Sequence, residues 1–189
     1  MNKSILISIN PEHAVNILNG KKTLELRKRV PKDFVGWVYM YVTKGKPYLH
    51  KNQFGYQVYD GNIKSFINKN DVLNGLVVAR WWHDKDEQIT LEEINVSWDD
   101  ISEYKLMTDT LKENEILQKS CLTIPNIEYY WGDGNLYAWH IKNLEIFDKP
   151  MTLGEFYKEE YAVMPNGVFP SFQPLTKAPQ SYQFVWVRE

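Results

Sequence analysis

The sequence predicts an α+β fold, in which five or six strands form a small, curved β-barrel with short peripheral helices and a helical insertion. Apolar runs rich in β-branched and aromatic residues recur along the chain, and such runs are typical of strands. These runs do not alternate regularly with helical segments, which argues against a doubly wound parallel sheet. No repeat or linker divides the 189 residues, so we expect one domain.

The first strand and helix are predicted from a short N-terminal segment. Ile5–Ile9 is apolar except for Ser8, which is typical of a buried strand. Asn10 can cap a helix and Pro11 suits its first turn, while Gly20 supplies the left-handed residue that commonly ends one. We therefore expect a strand followed directly by a short helix.

The next strand alternates strictly between apolar and polar residues. Leu24 and Leu26 are expected on the core side, and Thr23, Glu25 and Arg27 on the opposite side. Three polar side chains, two of them charged, are thus predicted to share one face.

The remaining elements follow from propensity and spacing. Further strands are predicted at Val35–Thr43, Gly75–Trp82, Leu136–Phe147 and Gln183–Val187. Helical structure is predicted at Ile63–Ile67, within Leu91–Leu122 and as one turn at Thr152–Tyr157. Residues 165–179 are expected to form a loop. The whole chain, 1–189, then forms a single domain with insertions at about 45–75 and 84–135.

Composition excludes several classes of protein. Hydrophobic residues make up 43% and charged residues 24% of the chain, which is ordinary globular usage. No apolar run approaches the roughly 18 residues of a membrane helix, and no signal peptide is recognisable, so we expect a cytoplasmic protein without a membrane partner.

Cys121 is the only cysteine, and the four histidines lack the spacing of metal ligands. We expect no metal and no cofactor.

Charge is distributed unevenly along the chain. Residues 21–51 hold nine Lys or Arg against Glu25 and Asp33, whereas residues 84–103 hold eight Asp or Glu against Lys85. The basic segment interleaves cations with aromatic residues, a mixture that binds single-stranded nucleic acid. A solvated strand edge explains the same cations without any ligand. Most of the aromatic residues are expected in the core, including Trp37, Tyr39, Tyr41, Trp81, Trp82, Tyr129, Tyr130 and Trp131.

Four segments resemble a known family in the order in which they occur. They are residues 5–28, 37–44, 136–150 and 178–185. The first contains the pattern Gly-x-Lys-x-x-Glu-x-Arg, here at Gly20, Lys22, Glu25 and Arg27. These segments resemble the ASCH domains of the PUA-like superfamily, small β-barrels that handle RNA or modified nucleotides. Stand-alone domains of this kind are common in bacteria and their phages.

The resemblance implies a cleft beside the first helix that receives a nucleotide or a base. Lys22 and Arg27 would bind phosphate or carbonyl oxygens, and Glu25 would accept from an exocyclic amine. The candidate ligand-binding residues are Lys22, Glu25, Arg27, Thr43, Lys44 and Ser181. An ordinary exposed ion-pair face would show the same residue types.

Two other functions stay open at this point. One group in the family resembles an acetylcytidine amidohydrolase with a catalytic lysine, threonine and glutamate; Lys22 matches the lysine, but Glu25 stands where the threonine nucleophile would be. A ribonuclease with Lys22 and Glu25 as acid and base is a second form of this hypothesis. Alternatively, a phage protein could use an acidic face of the insert from Asp84 to Leu122 to bind a host protein or to mimic nucleic acid.

The binding hypothesis makes a prediction about stability. If Lys22 and Arg27 lie on the surface, alanine at either position should change the free energy of unfolding by less than about 1 kcal/mol. Binding to RNA or to a modified nucleoside should weaken in the same variants.

Overall fold

The computed structural model describes residues 1–61, 71–96, 101–132 and 134–188, with the backbone alone at 93–96 and 101–104. The predicted short helix at Ile63–Ile67 lies outside the described residues. The chain divides into two compact units. The larger unit comprises Met1–Asn19, Gly36–Trp82 and Asn143–Glu189, and the smaller unit comprises Gly20–Val35 and His83–Lys142. A single domain over 1–189 stays a prediction.

The larger unit contains a sheet of seven strands, a hairpin and one helix. In chain order the elements are β1 (Asn2–Ile9), α1 (Pro11–Leu18), β3 (Gly36–Val42), β4 (Tyr48–Asn52), β5 (Gly55–Tyr59), β6 (Val77–His83), β10 (Lys142–Met151), β11 (Phe156–Met164), β12 (Gly167–Pro174) and β13 (Tyr182–Val187). The sheet has the order β10-β6-β3-β1-β13-β11-β12, while β4 and β5 pair separately. A short 3₁₀-helix, Leu153–Glu155, follows Thr152 as predicted.

The core of this unit lies against the centre of the large sheet. Strand β1 pairs in parallel with β3 and antiparallel with β13, so it is surrounded on both sides by backbone partners. Its residues Ile5, Leu6 and Ile7 are fully buried. Apolar residues on both faces are what a central strand requires, and the consecutive apolar residues Ile5, Leu6 and Ile7 indicate this position.

The smaller unit contains four strands and two helices. In chain order these are β2 (Leu24–Arg27), β7 (Asp86–Val96), β8 (Ile101–Met107), α2 (Glu113–Ser120), α3 (Ile124–Trp131) and β9 (Leu136–His140). The sheet has the order β2-β9-β7-β8. Its core is formed by Leu24, Leu26, Ile89, Leu106, Leu111, Ile116, Ile127, Leu136 and Ala138. The predicted core side of β2 is therefore confirmed.

The α+β class is confirmed, and three segments differ from their predicted structure. Thirteen strands and three α-helices form among the described residues, where the sheets stay open instead of closing into a barrel. Within the predicted helical region Leu91–Leu122, the described residues up to Val96 and from Ile101 to Met107 belong to strands β7 and β8, and α2 is helical. Helix α3 begins after this region, at Ile124. Ile89 is buried and Leu91 is 54% exposed. Cross-strand pairing has here outweighed helical propensity.

The predicted loop at 165–179 is mostly strand as well. Met164 and Gly167 close a hairpin in which β11 pairs with β12 along its whole length. Pro170 lies in β12, the outermost strand of the sheet. A proline is compatible with an edge strand because no neighbour needs its missing N–H.

The predicted strand Leu136–Phe147 is divided in two. Strand β9 belongs to the small unit's sheet and β10 to the large unit's sheet. Asn143, next to the break, has a φ of 48°. Asparagine adopts this left-handed conformation more readily than other non-glycine residues, which allows the chain to turn there.

No helix among the described residues is long and apolar enough to cross a membrane.

Candidate functional site

One carboxylate joins the two cations of the predicted motif. Lys22 Nζ lies 3.3 Å from Glu25 Oε2, and Arg27 Nη2 lies 2.9 Å from Glu25 Oε1. Glu25 and Arg27 point from the same face of β2, as the alternation predicts, and Lys22 precedes the strand. The sequence therefore correctly predicts that these three residues come together, and they carry two positive charges against one negative charge.

The burial of this ion-pair cluster differs from the expected surface location. The side chain of Lys22 is only 1% exposed, that of Glu25 7% and that of Arg27 11%. Lys22 Nζ also donates to the backbone carbonyl of Ser120 at 2.8 Å. The prediction that truncation of Lys22 changes the free energy of unfolding by less than about 1 kcal/mol assumed a surface position. Lys22 is buried, so that assumption is wrong.

Helix α2 explains why Lys22 is buried. Ser120 is the last residue of that helix, and Thr23 N donates to the carbonyl of Lys119 at 2.8 Å. The carbonyls at a helix C-terminus lack intrahelical partners and carry partial negative charge, so they stabilise a nearby cation. Lys22 therefore connects the entrance of β2 to the end of α2.

Aromatic side chains lie on the same face of the sheet. The register of β2 and β9 places Trp139 opposite Glu25 and Tyr137 opposite Arg27. Trp139 is fully buried, and His83 packs on it with ring centroids 5.0 Å apart. Burial lowers the pKa of His83 below its ordinary value, although Asp86 opposes this shift, so the ring is neutral at pH 7. Sequence reasoning missed Trp139, although the alternation in β9 places it on this face.

The other predicted site residues belong to the larger unit. Thr43 and Ser181 flank the same end of β1: Thr43 N donates to Ile9 O at 3.0 Å, and Ser8 N donates to Ser181 O at 2.9 Å. The Thr43 hydroxyl donates to Asn10 Oδ1 at 3.1 Å. Lys44 is exposed. That these residues share a cleft with Lys22 stays a prediction.

The aromatic residues of the basic segment are mostly structural. Tyr39 and Tyr41 are each 3% exposed and belong to the core of the larger unit, as expected. Trp37 is half-buried and packs under the guanidinium of Arg80, which lies 4.1 Å from the ring centroid. Arg80 is fixed in turn by Glu145 at 2.7 Å. These rings are therefore already covered by protein.

Tyr129 and Tyr130 are not in the core, which corrects the prediction for them. Tyr129 is 94% exposed and Tyr130 is 39% exposed. They lie on α3, where Ile127 is buried and Trp131 packs against the core. In a helix each residue is rotated by about 100° from the last, so Ile127 and Trp131 share the inner side and the two tyrosines lie outside it. Helical spacing, applied to this segment, would have indicated their exposure.

Sequence reasoning also missed a buried carboxylate, Glu87. Its Oε1 lies 2.8 Å from Lys85 Nζ and 2.7 Å from His140 Nε2. The hydroxyl of Thr108 donates to Oε2 at 2.7 Å, and Thr110 donates to the same oxygen through its N–H at 3.1 Å and through its hydroxyl at 2.8 Å. Burial alone would raise the pKa of Glu87, but the hydrogen bonds from these four residues outweigh it and lower the pKa far below its ordinary value.

The described residues contain no group of three or more His, Cys, Asp or Glu that could hold a metal ion. The Glu87 cluster instead pairs one carboxylate with cations and hydroxyls. Such an arrangement stabilises the turn between β8 and α2, because Thr108 Oγ1 also accepts from Leu111 N at 2.9 Å.

The chain is similar in fold to solved structures of other proteins. No protein-family model matches the chain, and no curated protein matches it. The fold is similar to the crystal structure of ASCH from Zymomonas mobilis, with 18% identity and a TM-score of 0.49 over 98% of this chain and 88% of that chain. A mutant of the same protein gives the same identity and TM-score over 100% and 92% of the two chains. These structural neighbours are ASCH proteins by name, the family that the sequence resembles. The likeness concerns the fold.

Proposed function

We propose that the chain binds single-stranded RNA or a modified nucleotide through the basic segment from Lys22 to Lys32. The observation that carries this proposal is the fixed position of Arg27, whose guanidinium is held by Glu25 at 2.9 Å at the end of an edge strand. Lys28, Arg29 and Lys32 follow it and are exposed. An ordered guanidinium that leads into a run of solvent-exposed cations suits a chain of phosphates.

The charge of this segment favours a short, single-stranded ligand over a long duplex. Residues 27–32 contain four cations and no acid, whereas the whole chain has a net charge of −2. A few phosphates are enough to neutralise such a patch, so the affinity should depend moderately on salt. A modified nucleotide would bind to the same cations through its phosphate and its base.

The basic segment is tested by removing two of its exposed cations. In Lys28→Ala/Arg29→Ala, we expect the Kd for a fluorescein-labelled single-stranded RNA 12-mer to rise about tenfold in anisotropy titrations, since each cation contributes to phosphate neutralisation. The slope of log affinity against log salt should fall by about 1.4, since single strands give about 0.7 per phosphate contact.

The matched control removes two exposed cations of the larger unit, Lys149→Ala/Lys177→Ala, which has the same change in net charge. We expect the control to bind within about twofold of the wild type, because its cations lie outside the basic segment. Equal Kd values for the two double variants would show a general effect of charge and contradict the proposal. A wild-type protein that binds neither the RNA nor a panel of modified nucleotides would end it.

The hydrolase alternative has no comparable observation behind it. The groups described within hydrogen-bonding distance of Lys22 Nζ are the Glu25 carboxylate and the Ser120 carbonyl oxygen. Neither is a hydroxyl that could act as the nucleophile of an amidohydrolase. Binding is therefore the function we propose.

The acidic segment offers less free charge for a host protein than its composition indicates. Asp84 pairs with Lys142 at 2.8 Å, His83 lies 3.5 Å from Asp86, and Glu87 is buried. Neutralising these three acids would disturb contacts within the smaller unit as well as any partner surface. Binding of a host protein stays a prediction.

A further inference from the structure

Helix α3 presents two tyrosines that the fold does not use for packing. Tyr129 is 94% exposed, so almost none of its side chain is covered by protein. The same helix is fixed by Ile127, which is fully buried, and by the Thr123 cap, whose hydroxyl accepts from Asn126 N. Truncation of the Tyr129 ring should therefore leave the helix in place.

A cation from the basic segment lies against this helix. Lys28 Nζ is 5.4 Å from the centroid of the Tyr130 ring, which is within the range of a cation–π interaction. It also lies 3.9 Å from the position that a Cβ would take on Gly132, at the C-terminus of α3. The exposed tyrosines are therefore joined to the basic segment within one compact unit.

We propose that Tyr129 and Tyr130, together with Lys28, form a stacking surface for the unpaired bases of single-stranded RNA. This proposal rests on the proposed function and adds a second element to it, since α3 lies outside the Lys22–Lys32 segment. Phosphates would be bound by Lys28 and Arg29, while bases adjacent to those phosphates stack on the tyrosine rings. We name Tyr129, Tyr130 and Lys28 the tyrosine surface.

Charge and ring geometry together favour this occupant. An exposed ring next to lysine suits a ligand that carries both a negative backbone and flat apolar faces, as a single strand does. In a duplex the base faces are already stacked on one another and cannot reach the tyrosines. Glu128 is the one acid of α3 and immediately precedes Tyr129, so it opposes binding of an anion.

The test is a titration of labelled single-stranded RNA 12-mer, and of the corresponding duplex, with tyrosine variants of the whole chain. Tyr129→Ala and Tyr130→Ala should each raise the Kd for the single strand about tenfold, which lies within the range found for loss of one base–aromatic stack. The duplex should be bound equally by wild type and variants. Glu128→Gln should lower the Kd for the single strand, because it removes the opposing charge.

Two variants separate stacking from general effects of truncation. Tyr129→Phe keeps the ring and should bind within about twofold of the wild type, because stacking needs no hydroxyl. Tyr161→Ala removes a tyrosine that is 67% exposed on β11, in the larger unit, and should bind as the wild type does.

Each outcome distinguishes the inference from the proposed function. If the wild type binds the RNA and Lys28→Ala/Arg29→Ala weakens binding, while both tyrosine-to-alanine variants bind normally, only the tyrosine surface is overturned. If the wild type does not bind single-stranded RNA at all, the tyrosine surface falls, and the proposed function then rests on modified nucleotides alone. An equal loss of single-strand and duplex affinity in Tyr129→Ala would also overturn base stacking.

Discussion

Replacement of Glu87 by alanine is expected to lower the free energy of unfolding by about 3 to 5 kcal/mol, the usual effect of removing one partner from a buried ionic network. Glu87 is 4% exposed and accepts from Lys85, Thr108, Thr110 and His140. The variant would remove the acceptor of the Thr110 hydroxyl, the Thr108 hydroxyl and the His140 ring, and it would open a cavity at the same place. Urea denaturation followed by tryptophan fluorescence measures this loss.

The same residue should make stability depend on acid pH. The pKa of Glu87 is lowered in the folded protein from an ordinary value of 4.5. A group with a lowered folded pKa stabilises the fold above its unfolded pKa and loses that contribution as the pH falls toward the folded pKa. We therefore expect wild-type stability to fall below about pH 4.5, and Glu87→Gln, which cannot titrate, to show a smaller fall over the same range.

Lys85→Ala is the matched control for Glu87. Its side chain is 41% exposed, so its ion pair with Glu87 should contribute at most about 1 kcal/mol. A loss of less than 1 kcal/mol in Glu87→Ala, or identical acid profiles for wild type and Glu87→Gln, would show that the network does not stabilise the smaller unit.

The elements that depend on local sequence were predicted well. The strand at Ile5–Ile9, the helix after Asn10 and the core side of β2 follow from caps and alternation within a few residues, and all are present. The hairpin of β7 and β8 was missed because its charged, partly exposed residues fit a helix equally well. Pairing of β7 with β9, whose partners for Asp86 to Ile89 are Trp139 to Leu136, decides its structure. Periodicity within one segment carries no information about such a partner.

The candidate site was predicted in its residues but not in its environment. The spacing of Glu25 and Arg27 on alternate positions of one strand is enough to place them on one face. The burial of Lys22 depends on Ser120, which is separated from it by 98 residues. The exposure of Tyr129 depends on which side of α3 faces the core, and the sequence prediction placed no helix at Ile124–Trp131.

Replacement of Lys22 by methionine should therefore lower the free energy of unfolding by about 3 kcal/mol, which is more than a surface substitution would. Methionine keeps most of the length of the side chain and removes the charge. The Ser120 carbonyl would lose its donor and Glu25 would keep only one of the two cations described around it, Arg27. Thermal and urea denaturation of the whole chain measure the effect.

Two variants decide whether this loss comes from the buried charge. Lys21→Ala removes the neighbouring exposed lysine and should change stability by less than about 0.5 kcal/mol. Lys22→Met/Glu25→Gln removes both charges of the pair, so a double-mutant cycle with the single variants should give a coupling energy of at least about 1 kcal/mol. If Lys22→Met is as stable as Lys21→Ala but binds RNA more weakly, then Lys22 acts as a ligand-binding residue, and its position at the end of α2 is not needed for folding. If instead the free energy of unfolding falls and the protein that remains folded binds RNA normally, then Lys22 serves to position β2. The phosphates would in that case be bound by Arg27 and the exposed cations that follow it.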